Sequence, residues 1–162
     1  MSEQKTTFIW HPDKLLDLKE YKATQVYGFC ITKDKLVCLV RDKGEQRFTL
    51  PGGGIDDNEH PEDALKREFI EEAQFKVKNI KLLGSLEVIV EEDGKLTEKT
   101  QQVRYICEAD EIVEFIPNKD GWETEQRIFV HYTDIPNYVK WIKYPSGKEV
   151  FESLLKSILL AY

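Results

Sequence analysis

Apolar positions along this chain follow two periods, and the switches between them mark out the elements. Thr6 to Trp10 predicts a short edge strand, and His11-Pro12-Asp13 turns the chain into an amphipathic segment, Lys14 to Tyr21. Ala23 to Ile31 and Leu36 to Arg41 are rich in β-branched and aromatic residues. With Thr32 to Lys35 as the turn, they predict a hairpin. Arg47 to Leu50 reads as a brief strand that delivers the run Gly52-Gly53-Gly54. Ile80 to Val90 and Leu96 to Cys107 are long strands joined across Glu92-Asp93-Gly94-Lys95, where Asp-Gly is a strong hairpin signal. Arg127 to Tyr132 is a further strand.

Two stretches carry the helical period. Pro61 to Ala73 has proline at its start, where a missing N–H costs nothing, and Glu62 and Asp63 in the first turn against the positive end of the dipole. Leu65, Phe69 and Ala73, spaced by four, form its core face. Glu68, Glu71 and Glu72 stand at i, i+3 and i+4 on another side, with Ala64 within that side and Arg67 flanking it. Ser146 and Glu149 have the spacing of a capping box. They open a last helix to about Leu160, with Val150, Phe151, Leu154, Leu155 and Ile158 on one face. Strands and helices are mixed without a repeated βαβ rhythm, which predicts an α+β fold. A length of 162 residues predicts one domain, residues 1–162.

Charge changes this picture more than composition does. A formal net charge of −7 disfavours duplex nucleic acid and anionic membranes as partners. No apolar run is long enough to span a bilayer and Met1 to Thr7 are polar, so a cytoplasmic location is expected. Cys30, Cys38 and Cys107 stand singly in strand-like segments, which predicts buried thiols rather than a disulfide or zinc site. With 33% charged residues, an acidic helix side would ordinarily be solvated surface. Three clustered carboxylates also invite a counter-ion, and hard oxygen donors suit Mg²⁺ or Mn²⁺. Such cations would neutralise the acidic side and bridge to a phosphate substrate that the net charge would otherwise repel.

The spacing decides between these readings. Five residues separate Gly53 from Glu59 and seven separate Glu59 from Arg67, followed by Glu68, Phe69, Ile70, Glu71, Glu72, Ala73, Gln74 and Phe75. This resembles the signature box of the Nudix hydrolases, which specifies Gly, five residues, Glu, seven residues, Arg-Glu-apolar-any-Glu-Glu-any-Gly-apolar. The preceding Leu50-Pro51-Gly52-Gly53 also matches the family. The resemblance covers Gly53 to Phe75, and one position departs from it: Gln74 stands where the pattern has glycine. If that residue lies just past the helix in a left-handed conformation, Gln74→Gly is expected to stabilise by up to about 1 kcal/mol, with little effect on activity; if the helix runs past Gln74, glycine is expected to destabilise by a similar amount.

The resemblance implies an α/β/α sandwich around a mixed β-sheet, and metal-dependent hydrolysis of a diphosphate linkage in a small nucleoside diphosphate derivative. It makes Glu68 and Glu72 the firmest metal ligands and Glu71 a ligand or an aid to the attacking water. The Gly53 carbonyl is a further implied ligand, and Glu59 and Arg67 form a pair that orients Glu68. The general base stays open. One more acid often comes from ahead of a late strand, where Glu125 stands with Glu123 beside it; either could equally be a solvated loop residue. Arg47 and Arg104 are candidates for substrate phosphates. Trp122, Trp141 and Tyr144 either stack on a base or pack within the fold, and His60 lies at the expected helix cap. The family's secondary signatures for dinucleotide, ADP-ribose and dinucleoside polyphosphate substrates are missing after the box. Nucleoside triphosphates, modified nucleotides and nucleotide sugars therefore all remain. A nucleotide sensor without turnover is the alternative function, and a homodimer is an open option.

Overall fold

The computed structural model describes residues 1–161; Tyr162, the end of the expected domain, lies outside the described residues. Five strands make a mixed sheet: β1 (Gln4–Pro12), β2 (Lys22–Cys30), β4 (Gly52–Gly54), β5 (Val77–Glu92) and β6 (Lys95–Ala109). Their order is β1-β5-β6-β2-β4, with β2 and β6 parallel and every other pair antiparallel. β3 (Leu36–Asp42) and β7 (Thr124–His131) form a separate antiparallel pair. Asp93 and Gly94 both take positive φ at the tip of the β5–β6 hairpin, as its Asp-Gly turn predicts. Helices α1 (Pro61–Glu68) and α2 (Pro145–Ala161) complete the fold.

Alternation along β2 and β3 places one hydrophobic core on each face of the sheet. Val26 and Cys30, with Cys38 and Val40, pack against Leu65, Phe69 and Ala73 of the box segment. Phe29 and Ile31, with Val37 and Leu39, pack against Val150, Leu154 and Ile158 of α2. The result is the expected α+β sandwich with a mixed sheet between helices. The α2 layer is tied to β1 by the Trp10 indole N–H, which donates to Ser153 Oγ at 2.9 Å. All three cysteines are buried and unpaired. Among the described residues, no helix is long and apolar enough to cross a membrane.

Several local expectations need correction. β2 and β3 do not form a hairpin ladder. Their turn closes through Lys35 N–H to Thr32 O and Thr32 N–H to Leu36 O, and one bridge joins Ile31 to Val37. Beyond it the strands part, because β2 gains a full parallel partner in β6 while β3 pairs with β7. Arg47 to Leu50 is reduced to a single bridge between Thr49 and Val40, and the strand proper is the glycine run itself. Lys14 to Tyr21 is irregular. Fully buried Gln101 replaces regular backbone pairing there, accepting from Leu16 N–H and donating to the Leu16 and Tyr21 carbonyls. α2 begins at Pro145, so Ser146 lies inside the first turn and not at its cap.

The box helix sits close on β2 because Gly28 has no side chain. A Cβ there would lie 2.8 Å from the Phe69 ring and 2.9 Å from Leu65 Cδ1, both fully buried. Gly28→Ala is therefore expected to cost about 1–3 kcal/mol through overpacking, and to lower activity by shifting the acidic side chains carried by the same helix. Chemical denaturation with activity measured in parallel checks both outcomes.

Candidate active site

The box segment starts as an α-helix and ends as a wider turn. His60 caps it, its Nδ1 accepting from Glu62 N–H at 3.2 Å, and Pro61 fills the first position. From Phe69 to Ala73 the backbone is a π turn, closed by Gln74 N–H to Phe69 O at 2.9 Å. Such single π turns inside helices are frequent at functional sites. Ala64 falls on the core side, fully buried, and not among the acids.

Arg67 is the hub. Its Nε and one terminal nitrogen each donate to Glu59 at 2.9 Å, and that nitrogen also donates to Gly54 O at 2.9 Å. The other terminal nitrogen donates to Glu68 Oε1 at 2.9 Å and lies 3.6 Å from Glu71 Oε2. Arg67 thus ties the box loop, the helix and the glycine strand together. The guanidinium, helped by the Asp56 N–H, holds the Glu59 carboxyl down at about 2, and the carboxylates hold Arg67 above its ordinary value.

Glu68 is buried directly against β4. A Cβ at Gly53 would meet Glu68 Oε1 at 2.8 Å, whereas one at Gly54 would meet nothing within 4 Å. Glycine at 53 leaves the space in which the carboxylate lies beside the strand. Burial raises the Glu68 carboxyl, against the pull of Arg67. Glu72 is raised well above the carboxylate range, by burial first and then by Glu68 and Asp42, while the Gly52 backbone pulls the other way. Glu68, Glu71 and Glu72 line one cleft of about 300 Å³ with Asp42, Trp122, Glu123 and Thr124.

The donor chemistry suits a divalent cation. Glu68, buried, and Glu72, half-buried, are neighbouring carboxylates that can share a hydrogen bond only while one is protonated, and a hard cation would relieve their repulsion. Among the described residues, no three His, Cys, Asp or Glu are already drawn into a coordinating group. Arg67 engages Glu68 at 2.9 Å.

A family model described as the NUDIX domain matches residues 22–153. The chain belongs to the Nudix family. The Bacillus subtilis pyrophosphohydrolase BsRppH has a similar structure, with a TM-score of 0.69 at 19% identity, covering 94% of this chain and 92% of that one. A UDP-X diphosphatase gives 0.63 at 20% identity over 85% of this chain, which spans 64% of that one. An ADP-ribose pyrophosphatase from Streptococcus suis gives 0.54 at 18% identity, covering 82% and 90%. At these identities the likeness concerns the fold alone. No curated protein matches the sequence.

Outside the Nudix box the structure distributes the candidates differently. Glu125 is not on the cleft wall; it accepts from Arg41 at 3.2 Å, while Glu123 beside it lines the cleft. Arg47 is exposed on the loop before the glycine strand. Arg104 is buried on β6 and lines another cavity, together with Trp141 and Tyr144, while Trp122 stands on the acid cleft. Asp42 was not foreseen. Its only trace in the sequence is a carboxylate at the end of an apolar strand, and burial raises its carboxyl.

Gln74 has the expected left-handed backbone, with φ 63° and ψ 36°. Its side chain adds what the backbone reading lacked. Buried at 9% exposure, it donates to Ile116 O at 2.7 Å and accepts from Ile116 N–H at 2.9 Å. Arg127 binds the same region, donating to Ala73 O and Val113 O at 2.7 and 2.6 Å. Together they fasten the loop that leads to Trp122 and Glu123. The expected gain from Gln74→Gly is therefore reversed. Relief of about 1 kcal/mol of backbone strain is outweighed by two lost part-buried hydrogen bonds, for a net loss of about 1 kcal/mol in thermal unfolding.

Glu59 gives a pH prediction. Its carboxyl is lowered from 4.5 to about 2, so its stabilising contribution is complete above 4.5 and is lost as pH falls toward about 2. Glu59→Gln is expected to cost about 1–2 kcal/mol at neutral pH, with the gap to the parent protein closing below pH ~4. Urea titrations across that range measure it.

Proposed function

We propose that the protein hydrolyses a phosphoanhydride bond in a nucleoside diphosphate derivative, the candidates being a nucleoside triphosphate, a modified nucleotide or a nucleotide sugar. The observation that carries this reading is the buried Glu68 carboxylate, set against Gly53, with half-buried Glu72 beside it in an acid-lined cleft. Mg²⁺ or Mn²⁺ would be held by Glu68, Glu72 and Glu71, with the Gly53 carbonyl as a further ligand. A cation bound there lowers the pKa of an attacking water and spreads the charge of the phosphates. A chain of net charge −7 needs that cation to receive a polyphosphate.

The protein's own residues then have distinct tasks. Arg67 fixes the Glu68 carboxylate in one orientation, with Glu59 and the Gly54 carbonyl as its anchors. Glu71, with a side chain 39% exposed, reaches the cleft in contact with solvent, which supports a part for it in activating the water. Trp122 forms an apolar wall that limits bulk water around the acids.

A screen of nucleotides is expected to show Mg²⁺- or Mn²⁺-dependent release of a nucleoside monophosphate. Glu68→Gln and Glu72→Gln should each lower turnover at least ~100-fold. Stability should separate activity from folding. A carboxyl raised in the folded state weakens the fold as pH rises above its ordinary 4.5, so in EDTA at neutral pH Glu72→Gln should be at least as stable as the parent. Near-parent turnover in both variants would remove these residues from the chemistry. Tight nucleotide binding with no product would make the protein a sensor.

A further inference from the structure

Arg104 lies outside the acid cleft, on the wall of a second cavity. It is 4% exposed, in the middle of β6, and among the described residues no carboxylate pairs with it. Its guanidinium carbon lies 4.8 Å from the Tyr27 ring centroid and 5.1 Å from that of Trp141. One terminal nitrogen donates to Gln102 Oε1 at 3.1 Å, the other reaches Val103 O only at 3.4 Å, and Nε has no partner. A buried cation with unused donors costs stability unless something accepts from them. Arg104 lines a cavity of about 590 Å³, whose apolar walls are Phe8, Leu86, Trp141 and Tyr144.

We propose that this cavity is a nucleobase subsite, and that Arg104 with Gln102 selects a 6-oxopurine over adenine. The walls supply the argument for a flat heterocycle: aromatic rings stack on a base, whereas a phosphate entering the same space would lose its hydration for a single cation. The polar edge supplies the argument for the oxopurine. Arg104 has only donors, and because Gln102 Oε1 already accepts from Arg104, the Gln102 amide has its NH₂ left to offer to the cavity that it lines. Guanine offers two adjacent acceptors, O6 and N7, to such an edge, while adenine would set its own amino group against donors.

The cavity is connected to the acids through the strand that borders both. Tyr27 and Gln25, which line it, pair with Gly52 and Gly54 of β4, and Gly53 between them abuts Glu68. β4 is the edge of the sheet, so a nucleotide with its base in the cavity can pass its phosphates over that edge toward the acids. This last step rests on the proposed hydrolysis; base selection does not.

Calorimetric titration of GMP and AMP in EDTA tests the subsite, since neither carries an anhydride bond and no metal is present. GMP is expected to bind at least about tenfold tighter than AMP. Arg104→Met should bring the two to parity. Gln102→Glu, which gives Arg104 a carboxylate and puts negative charge against O6, should do the same if Arg104→Met does not fold. Equal affinities in the parent protein, no GMP binding at millimolar concentration, or full displacement of GMP by inorganic pyrophosphate would each overturn the proposal. Hydrolysis without base preference would sink the subsite and leave the proposed activity standing. GMP selectivity without hydrolysis of any nucleotide would do the reverse.

Discussion

The structure of the site depends on one guanidinium. Arg67 joins Glu59 from the loop, Glu68 from its own helix and Gly54 O from the edge strand. Each contact alone would be an ordinary ion pair or hydrogen bond of modest worth. Their convergence on one rigid fork fixes three chain segments at once. It also determines where Glu68 lies, and that position is compatible only with a residue lacking Cβ at 53. The spacing of the box follows from this geometry: the glycine, the two acids and the arginine are held in one contact set.

The end of the helix is the second constraint. The π turn from Phe69 to Ala73 keeps Phe69 and Ala73 in the core while Glu71 and Glu72 reach the cleft. A left-handed residue must follow, and glycine would be the least strained choice. Gln74 accepts the strain and uses its amide to hold the Ile116 backbone. The loop it fastens carries Trp122 and Glu123 to the cleft, so the departure from the family pattern has become part of how the far wall is positioned.

How much of this could be read from the sequence divides by range. Local signals were sound: the Asp93-Gly94 turn, the proline start of α1, the Leu65-Phe69-Ala73 core face and the left-handed Gln74 all follow from short-range chemistry. Pairing between distant strands was not legible. Two adjacent strands with a good turn between them read as a hairpin, and only the competing partners β6 and β7 draw them apart. The same limit applied to the site. The box acids were evident from spacing, but Asp42 and Glu123 reach the cleft through the β3–β7 pair, and the buried Arg104 Nε without a hydrogen-bond partner is visible only in three dimensions.

In the proposed function the Gly53 backbone and the Glu68 carboxylate would together hold the cation. Electron paramagnetic resonance of free Mn²⁺, titrated against Gly53→Ala and Gly54→Ala, tests it directly. These neighbouring glycines differ in one respect: a Cβ at 53 meets Glu68 at 2.8 Å and a Cβ at 54 meets nothing within 4 Å. Mn²⁺ binding at least about tenfold weaker is expected for Gly53→Ala, and unchanged binding for Gly54→Ala. Equal Mn²⁺ affinity in the two variants would contradict it.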